Sequence, residues 1–248
     1  MIQIGTGINA YFSAFGFIKK HKLWGYVFVP GLINLLILAG VFLFAWEFSG
    51  WAVESLLAYF GYAASLEGSW WITLSTWLVT FVIRTLLVVS YFAIYKNLIL
   101  IIMSPIMAFL TEKCLEKMGE TVPDFDWISF LKNVLRGLRV ALVNIVKEFI
   151  LLILVGLLIW VPLIGFLSPI LFFSISAYFY GYSMMDYVHE VRGLSLKEGN
   201  REVWQQKGLS LTLGAGFYGI LLIPFIGLLI APSFGVVATV ISMKKLDK

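Results

Sequence analysis

Two short stretches, PLIGFLSP at residues 162–169 and PFIGLLIAP at residues 224–232, decide how this chain folds. Both begin and end with proline and carry an Ile-Gly pair near the middle, so they form an internal repeat. Proline ends a helix because it lacks the amide hydrogen and clashes with the preceding turn, and glycine permits left-handed turn geometry. We therefore predict a helical hairpin around each stretch. The predicted turn residues are Pro162, Gly165, Pro169, Pro224, Gly227 and Pro232.

The helical arms beside these breaks are short. Each holds roughly 12–17 residues, which is about 18–25 Å of helix at 1.5 Å per residue. Because the hydrocarbon core of a bilayer is about 30 Å thick, most of the arms cannot cross it. We predict that the hairpins, 149–185 and 209–243, enter the membrane part-way and return to the side from which they came. Four short complete spans joined by tight turns are the alternative.

The composition of the whole chain indicates a membrane protein. Of its 248 residues, 60% are hydrophobic and only 13% are charged, whereas soluble domains carry about 25% charged residues. Long segments without lysine or arginine contain two further apolar stretches, 24–46 and 70–105, each long enough to span. We predict an all-α integral membrane protein forming a single membrane domain, 1–248. It combines two long transmembrane helices with two partly penetrating, Pro/Gly-broken hairpins and interfacial amphipathic helices.

The distribution of charge predicts the orientation. Acidic residues alone, Glu47, Glu54 and Glu67, separate the first two spans, and basic residues flank every other apolar segment. The positive-inside rule then places both termini in the cytoplasm.

Two segments have the pattern of amphipathic helices, 1–22 and 126–148. Apolar residues recur at spacings of three and four in both, and Lys132, Arg136 and Arg139 form a basic stripe on the second. We predict that they lie at the membrane interface. For 126–148, contact with anionic headgroups is favoured over a role in conduction.

Arg84 lies near the middle of the second predicted span, where an unpaired arginine costs at least about 2.5–3.5 kcal/mol. At 100° per residue, polar and aromatic side chains share its helix face within about 40°. They are Thr73, Trp77, Thr80, Tyr91 and Tyr95. One interpretation is a guanidinium that draws an anion into the membrane. The other is a structural arginine held by backbone carbonyls or reaching towards the interface.

A second candidate anion site precedes the first span, where Lys20 and Lys22 flank His21. The amino end of a helix suits an oxyanion because its N–H groups are free and its dipole end is positive. The same lysines could simply set orientation. A third charged group, Asp186, His189, Glu190 and Arg192, lies where the first hairpin leaves the membrane, and a solvated, paired loop is the favoured explanation for it over an anion site.

The sequence contains no pattern typical of an enzyme. His21 and His189 are its only histidines, and neither has metal-ligand or catalytic-triad spacing. We therefore expect no catalytic residue, no metal, no cofactor and no nucleic acid partner.

The order of four stretches resembles the CysZ sulfate-permease family, which shares a domain with etoposide-induced membrane proteins. These stretches are 26–30 with Asn34, 104–113, 185–195 and 207–232. The resemblance implies two long membrane helices, two pairs of partly penetrating helices, a homo-oligomer and sulfate uptake for cysteine synthesis. In the family, a Gly-Leu-Arg stretch before the first span contributes to sulfate binding. The matching positions here are Lys22, Leu23 and Trp24, so the arginine position holds tryptophan.

The leading hypothesis is therefore a bacterial inner-membrane transporter or channel for a small oxyanion, most simply sulfate, with a passive or ion-coupled path. Its candidate anion-binding residues are Arg84, Lys20, Lys22, Thr80 and Tyr91. Membrane lipids and a second copy of the chain are the other expected partners. The alternative hypothesis is a membrane scaffold or lipid-interaction protein that transports nothing.

Overall fold

A computed structural model of the chain describes residues 2–59, 70–122, 126–158 and 165–247. Within these ranges the chain is almost entirely helical and contains no β-strand. A 3₁₀ turn, Gly165–Leu167, precedes the fifth helix. The α-helices are α1 (Ile2–His21), α2 (Trp24–Tyr59), α3 (Trp70–Lys117), α4 (Trp127–Leu158), α5 (Ser168–Val191), α6 (Leu196–Gln205), α7 (Lys207–Leu221) and α8 (Ile226–Leu246). The predicted all-α fold is confirmed.

Several helices are long and apolar enough to cross a membrane. Among the described residues these segments are Trp24–Ser55, Leu135–Leu157 and Ile226–Leu246. Much of the apolar surface of the first two faces outward, as it does on α4 at Leu142, Val146, Phe149, Ile153 and Leu157, whereas Ile226–Leu246 is largely buried. A water-soluble chain rarely exposes a continuous apolar surface of this kind. The chain is a membrane protein.

Helices α2 and α3 continue beyond the apolar stretches predicted as spans, which end at residues 46 and 105. They run to Tyr59 and Lys117, with Pro30 and Pro105 inside them. Proline is tolerated within membrane helices because neighbouring groups satisfy the backbone atoms that it leaves unpaired. The predicted limits mark where hydrophobicity falls, and the helices do not end there.

Helix α4 joins two elements that the sequence analysis separated, the amphipathic segment 126–148 and the first arm of hairpin 149–185. The helix runs from Trp127 to Leu158 without an end near residue 148. The predicted boundary followed the last charged residues, and a change of side-chain polarity does not interrupt backbone hydrogen bonding. Glu148 at this boundary is buried and accepts a hydrogen bond from Ser176 Oγ at 2.7 Å.

The predicted turn residues have different positions in the two hairpins. In the second hairpin Pro224 lies between α7 and α8, beside Phe225 with φ of 58°, whereas Gly227 and Pro232 are inside α8. A Cβ on Gly227 would lie 2.4 Å from the carbonyl oxygen of Ile220, so this glycine permits a close helix return and does not form the turn.

In the first hairpin the glycine lies in the 3₁₀ turn and the second proline lies at the start of the following helix. Gly165 lies in that turn, and Pro169 lies in the first turn of α5, where its missing N–H is not needed. Pro162 is outside the described residues.

The chain divides into two compact units, each described here by itself. The first unit is Met1–Asn34 with Leu100–Lys248, and the second unit is Leu35–Ile99. In the first unit α5 packs most closely on α7, and α1 and α8 complete the core.

The α5–α7 crossing is built from small residues. A Cβ on Gly181 would lie 1.8 Å from the carbonyl oxygen of Ser210, and one on Gly214 would lie 1.8 Å from that of Ala177. Each helix therefore contributes two small residues four positions apart, the pattern that lets membrane helices approach closely. Ser210 Oγ also donates a hydrogen bond to the carbonyl oxygen of Tyr178 at 2.8 Å.

Helix α1 has two apolar faces. Ala10, Ala14 and Ile18 are buried, and the Tyr11 hydroxyl donates a hydrogen bond to the carbonyl oxygen of Leu213 in α7. The opposite face exposes Ile4, Ile8, Phe12 and Phe15. One face thus belongs to the core, and the other is available to lipid or to a partner, so the interfacial position of α1 stays a prediction.

Candidate functional site

Arg84 of α3 packs against α2 within the second unit. Its guanidinium carbon lies 5.6 Å from the centroid of the Trp46 ring, a cation–π contact. The Nε atom is buried without a hydrogen-bond partner among the described residues. A Cβ on Gly50 of α2 would lie 3.6 Å from Nη2, so the guanidinium covers this glycine. Among the described residues, Arg84 contacts an aromatic face, and no backbone carbonyl accepts a hydrogen bond from its Nε.

The helix face around Arg84 is partly open. Thr80 is half-buried, and Thr73 and Trp77 are exposed. Tyr91 lies in α3, but its side chain is outside the described residues. Within the described part of the chain no carboxylate pairs with Arg84, and Glu47 and Glu54 of α2 are exposed. A guanidinium with five N–H donors and no paired carboxylate has the chemistry to bind an oxyanion.

Lys20 and Lys22 are exposed at the end of α1 in the first unit. Lys22 has φ of 56°, and the N–H of Leu23 donates to the carbonyl oxygen of Ile18 at 3.0 Å. This is a Schellman motif, in which the left-handed position is usually glycine. Helix α2 begins at Trp24, so the lysines precede its amino end as predicted. Arg84 and Thr80 belong to the second unit, and a common role for these residues stays a prediction.

A group of buried charges lies at the carboxyl end of α5. Arg136 of α4 forms a salt bridge with Asp186 at 3.0 Å and donates to the carbonyl oxygen of Leu194. Asp186 is 4% exposed and Glu190 is 6% exposed. Pairing was predicted for this group, but the predicted solvated loop was wrong, because Asp186, His189 and Glu190 lie within α5 and are buried.

Glu190 and His189 are the least satisfied members of this group. Burial, together with the negative charge of Asp186, raises the pKa of Glu190 to about 8, although Arg136 opposes the shift. His189 is fully buried, with Nε2 3.3 Å from Glu202 Oε2. This contact holds the pKa of Glu202 below its usual range although burial acts in the opposite direction.

A second network of salt bridges connects residues at the carboxyl ends of α3, α5 and α8. Arg192 donates two hydrogen bonds to Glu120, at 3.2 and 3.0 Å, and also pairs with Asp247 at 2.8 Å. Lys244 pairs with Glu120 at 2.7 Å. Burial raises the pKa of Glu120, but the hydrogen bonds from Arg192 and Lys244 outweigh it and lower the pKa.

The sequence analysis missed Glu120 and Lys244 as partners of Arg192, since they lie far away in the chain and no motif links them. The thiol of Cys114 in α3 is fully buried, and this burial raises its pKa to about 12. Among the described residues, no group of three or more His, Cys, Asp or Glu side chains could hold a metal ion.

Comparison with known proteins identifies the family. The family described as "Sulfate transporter CysZ/Etoposide-induced protein 2.4" matches residues 10–232. The chain is 25% identical over 231 residues to a protein of Pectobacterium atrosepticum named "Sulfate transporter CysZ", covering 92% of this chain and 80% of that protein. It is 26% identical over 231 residues to a protein of the same name from Salmonella typhimurium, covering 92% and 87%. This chain belongs to the sulfate transporter CysZ/etoposide-induced protein 2.4 family.

Proposed function

We propose that the chain carries sulfate or a closely related oxyanion across the inner membrane of a bacterium, for use in cysteine synthesis. Two curated relatives named as sulfate transporters, each matched over most of this chain, support the proposal. The outward-facing apolar helices agree with a membrane transporter. Transport is passive or ion-coupled, and both termini face the cytoplasm.

Arg84 is the residue that we assign to the anion path. It is a half-buried cation in an apolar helix, it has no carboxylate partner among the described residues, and its Nε lacks an acceptor. Thr80 and Tyr91 follow the same face of α3 and would add hydroxyl donors. An anion binding there would satisfy the guanidinium, which otherwise bears an unfavourable desolvation cost.

Lys20 and Lys22 would gather anions before they enter this path. Trp24 takes the place of the family's arginine, and a tryptophan cannot offer the bidentate fork that arginine presents to an oxyanion. The positive φ of Lys22 suits a position where the family has glycine. We therefore assign the charge at this turn to lysine side chains. Since one copy of the chain offers few complete spans, we propose a homo-oligomer around the path.

The purified protein in sulfate-loaded vesicles tests this proposal. Wild-type protein should release sulfate with saturable kinetics. Arg84→Gln should lower the flux on the order of tenfold or more, because a charge-assisted hydrogen bond contributes about 1.5–3 kcal/mol. Arg84→Lys should retain part of the flux, because it keeps the charge and loses the fork.

Arg139→Gln is the matched control, since Arg139 is an exposed arginine on α4. Wild-type flux in an assembled Arg84→Gln protein would show that Arg84 is outside the path. No sulfate flux in the wild type would contradict the transport function itself.

The alternative, a lipid-interaction scaffold, rests on the surface of α4. Lys132 and Arg139 are exposed there beside Leu135 and Leu142, which suits anionic headgroups above an apolar layer. Vesicles that stay sealed to sulfate while binding the protein in proportion to their anionic lipid would favour this alternative.

A further inference from the structure

A groove of about 430 Å³ lies between α4, α5 and α7 in the first unit. Its walls are apolar, with Leu151 from α4, Phe179 from α5 and Leu211 from α7 among them. The hydroxyl of Ser174 also lines it, but this group donates to the carbonyl oxygen of Ile170 at 2.7 Å. A molecule bound in the groove would therefore contact an apolar surface that has few free hydrogen-bonding groups. The volume lies within the range of about 300–1,000 Å³ typical of small-molecule sites.

The one charged residue that lines the groove among those described is positive. Lys207, the first residue of α7, lines it and is exposed, and its Nζ lies 5.2 Å from the centroid of the Trp204 ring. Trp204 is 69% exposed, and tryptophan is enriched at the headgroup level of membranes. Lys147, also exposed, precedes Leu151 by one turn of α4. None of the described lining residues is acidic.

We propose that this groove binds an acyl chain of an anionic phospholipid, whose phosphate rests on Lys207. The long apolar walls match a hydrocarbon chain, and the flanking cations match a headgroup with net negative charge. A free oxyanion would gain nothing from the apolar walls. A zwitterionic lipid would fill the walls equally well but would gain less from the lysines. The site is separate from Arg84 and does not depend on the transport function.

Photoactivatable phosphatidylglycerol tests the proposal with the full-length protein in phosphatidylcholine vesicles. After illumination, peptide mass spectrometry locates the lipid adducts. We expect adducts on the α5 and α7 peptides that line the groove. Photoactivatable phosphatidylcholine at the same fraction should label these peptides about fivefold less, the factor that corresponds to about 1 kcal/mol per lysine.

Four variants separate the headgroup contact from the apolar contact. Lys207→Gln should lower phosphatidylglycerol labelling of the groove about fivefold, whereas Lys245→Gln, an exposed lysine at the end of α8, should not. Leu211→Trp should fill the groove and lower labelling by both lipids. Leu222→Trp is its control, because Leu222 is 82% exposed and lies after α7.

Four results would overturn the proposal. Absence of adducts in the groove would mean that something else, such as a second copy of the chain, covers it. Equal labelling by the two lipids, or no change in Lys207→Gln, would remove the role of the headgroup. Loss of labelling on adding inorganic phosphate or sulfate, but not chloride at equal ionic strength, would point to a free oxyanion at Lys207.

Discussion

Glycine is used differently in the two compact units. In the first unit, a Cβ on Gly181 or Gly214 would lie 1.8 Å from a backbone oxygen of the neighbouring helix. In the second unit, a Cβ on Gly50 would lie at an ordinary 3.6 Å from Arg84, and one on Gly40 would meet nothing within 4 Å. Helix packing in the first unit thus depends on the absence of side chains at particular positions, and Gly40 and Gly50, the glycines that the structure describes in the second unit, carry no such constraint.

The two units also differ in how far their apolar side chains are exposed. Leu43, Trp51 and Phe81 of the second unit are more than half exposed, whereas Leu209 and Leu213 of α7 are fully buried. These helices are similarly apolar in sequence, so hydrophobicity does not separate a packed helix from one that faces lipid or a partner. What distinguishes α5 and α7 is the close backbone approach at Gly181 and Gly214.

Gly214→Ala should produce the largest loss of stability. The added methyl group would meet the Ala177 carbonyl, and because backbone cannot move aside easily, α5 and α7 must separate. We expect the free energy of unfolding to fall by about 3 kcal/mol, seen as a lower thermal midpoint in detergent.

Two control substitutions sharpen the contrast with the second unit. Gly219→Ala, in the same helix as Gly214, meets nothing within 4 Å, and Gly50→Ala meets only the flexible end of Arg84. Both variants should keep the wild-type thermal midpoint or raise it slightly, because alanine favours the helix more than glycine does. A midpoint for Gly214→Ala equal to that of Gly219→Ala would show that the α5–α7 crossing is looser than described.

Glu190→Gln should change how stability depends on pH. Glu190 lies outside the segments long enough to span, and its pKa is raised from 4.5 to about 8. Between these values the folded chain holds a proton that the unfolded chain releases, so stability should fall as the pH rises through this window, by on the order of a few kcal/mol.

Thermal midpoints measured from pH 5 to pH 8 test this prediction, with roughly one-unit steps across the pKa window. The wild-type midpoint should decline with rising pH, and the decline should be shallower in Glu190→Gln. Glu54→Gln, at an exposed position of the second unit, should leave the wild-type slope unchanged. The same slope in wild type and Glu190→Gln would place the responsible proton elsewhere.

Lys22→Gly should have the smallest effect, a gain of about 1 kcal/mol. At the positive φ of Lys22, the Cβ atom of lysine is sterically strained, whereas glycine has no Cβ atom. Lys20→Gly, two residues earlier and within α1, should lose a similar amount because glycine disfavours helix. If Lys22 also gathers anions, Lys22→Gly should lower sulfate flux while raising the thermal midpoint. A lower midpoint would refute the strained turn.

The sequence predicts the helices of this fold better than their ends or contacts. The Pro-Gly breaks located the second hairpin, and Pro224 lies in its turn, but α8, with 21 residues, is longer than the short arm predicted and is long enough to cross a membrane. The continuation of α4 past residue 148 was missed because charge marks exposure to water rather than the end of a helix. The span predicted to end at Pro105 belongs to a longer helix, α3, which accommodates this proline.

Contacts between distant residues could not be read from the sequence. Arg136 and Asp186 lie 50 positions apart, and Arg192 and Glu120 lie 72 apart. Only the crossing of helices brings them together, and single-chain periodicity does not specify which helices cross. Arg84 was found in advance because an arginine in an apolar run is conspicuous, although its contact with Trp46 was not.

The burial of Cys114 makes the chain convenient for chemical mapping. Its sulfur is the only native thiol, and with a pKa of about 12 almost none of it is the reactive thiolate at neutral pH. Cysteines introduced one at a time can therefore be labelled with maleimides without first replacing Cys114. Membrane-impermeant reagents applied to intact cells would then report which segments face each compartment, against a low background.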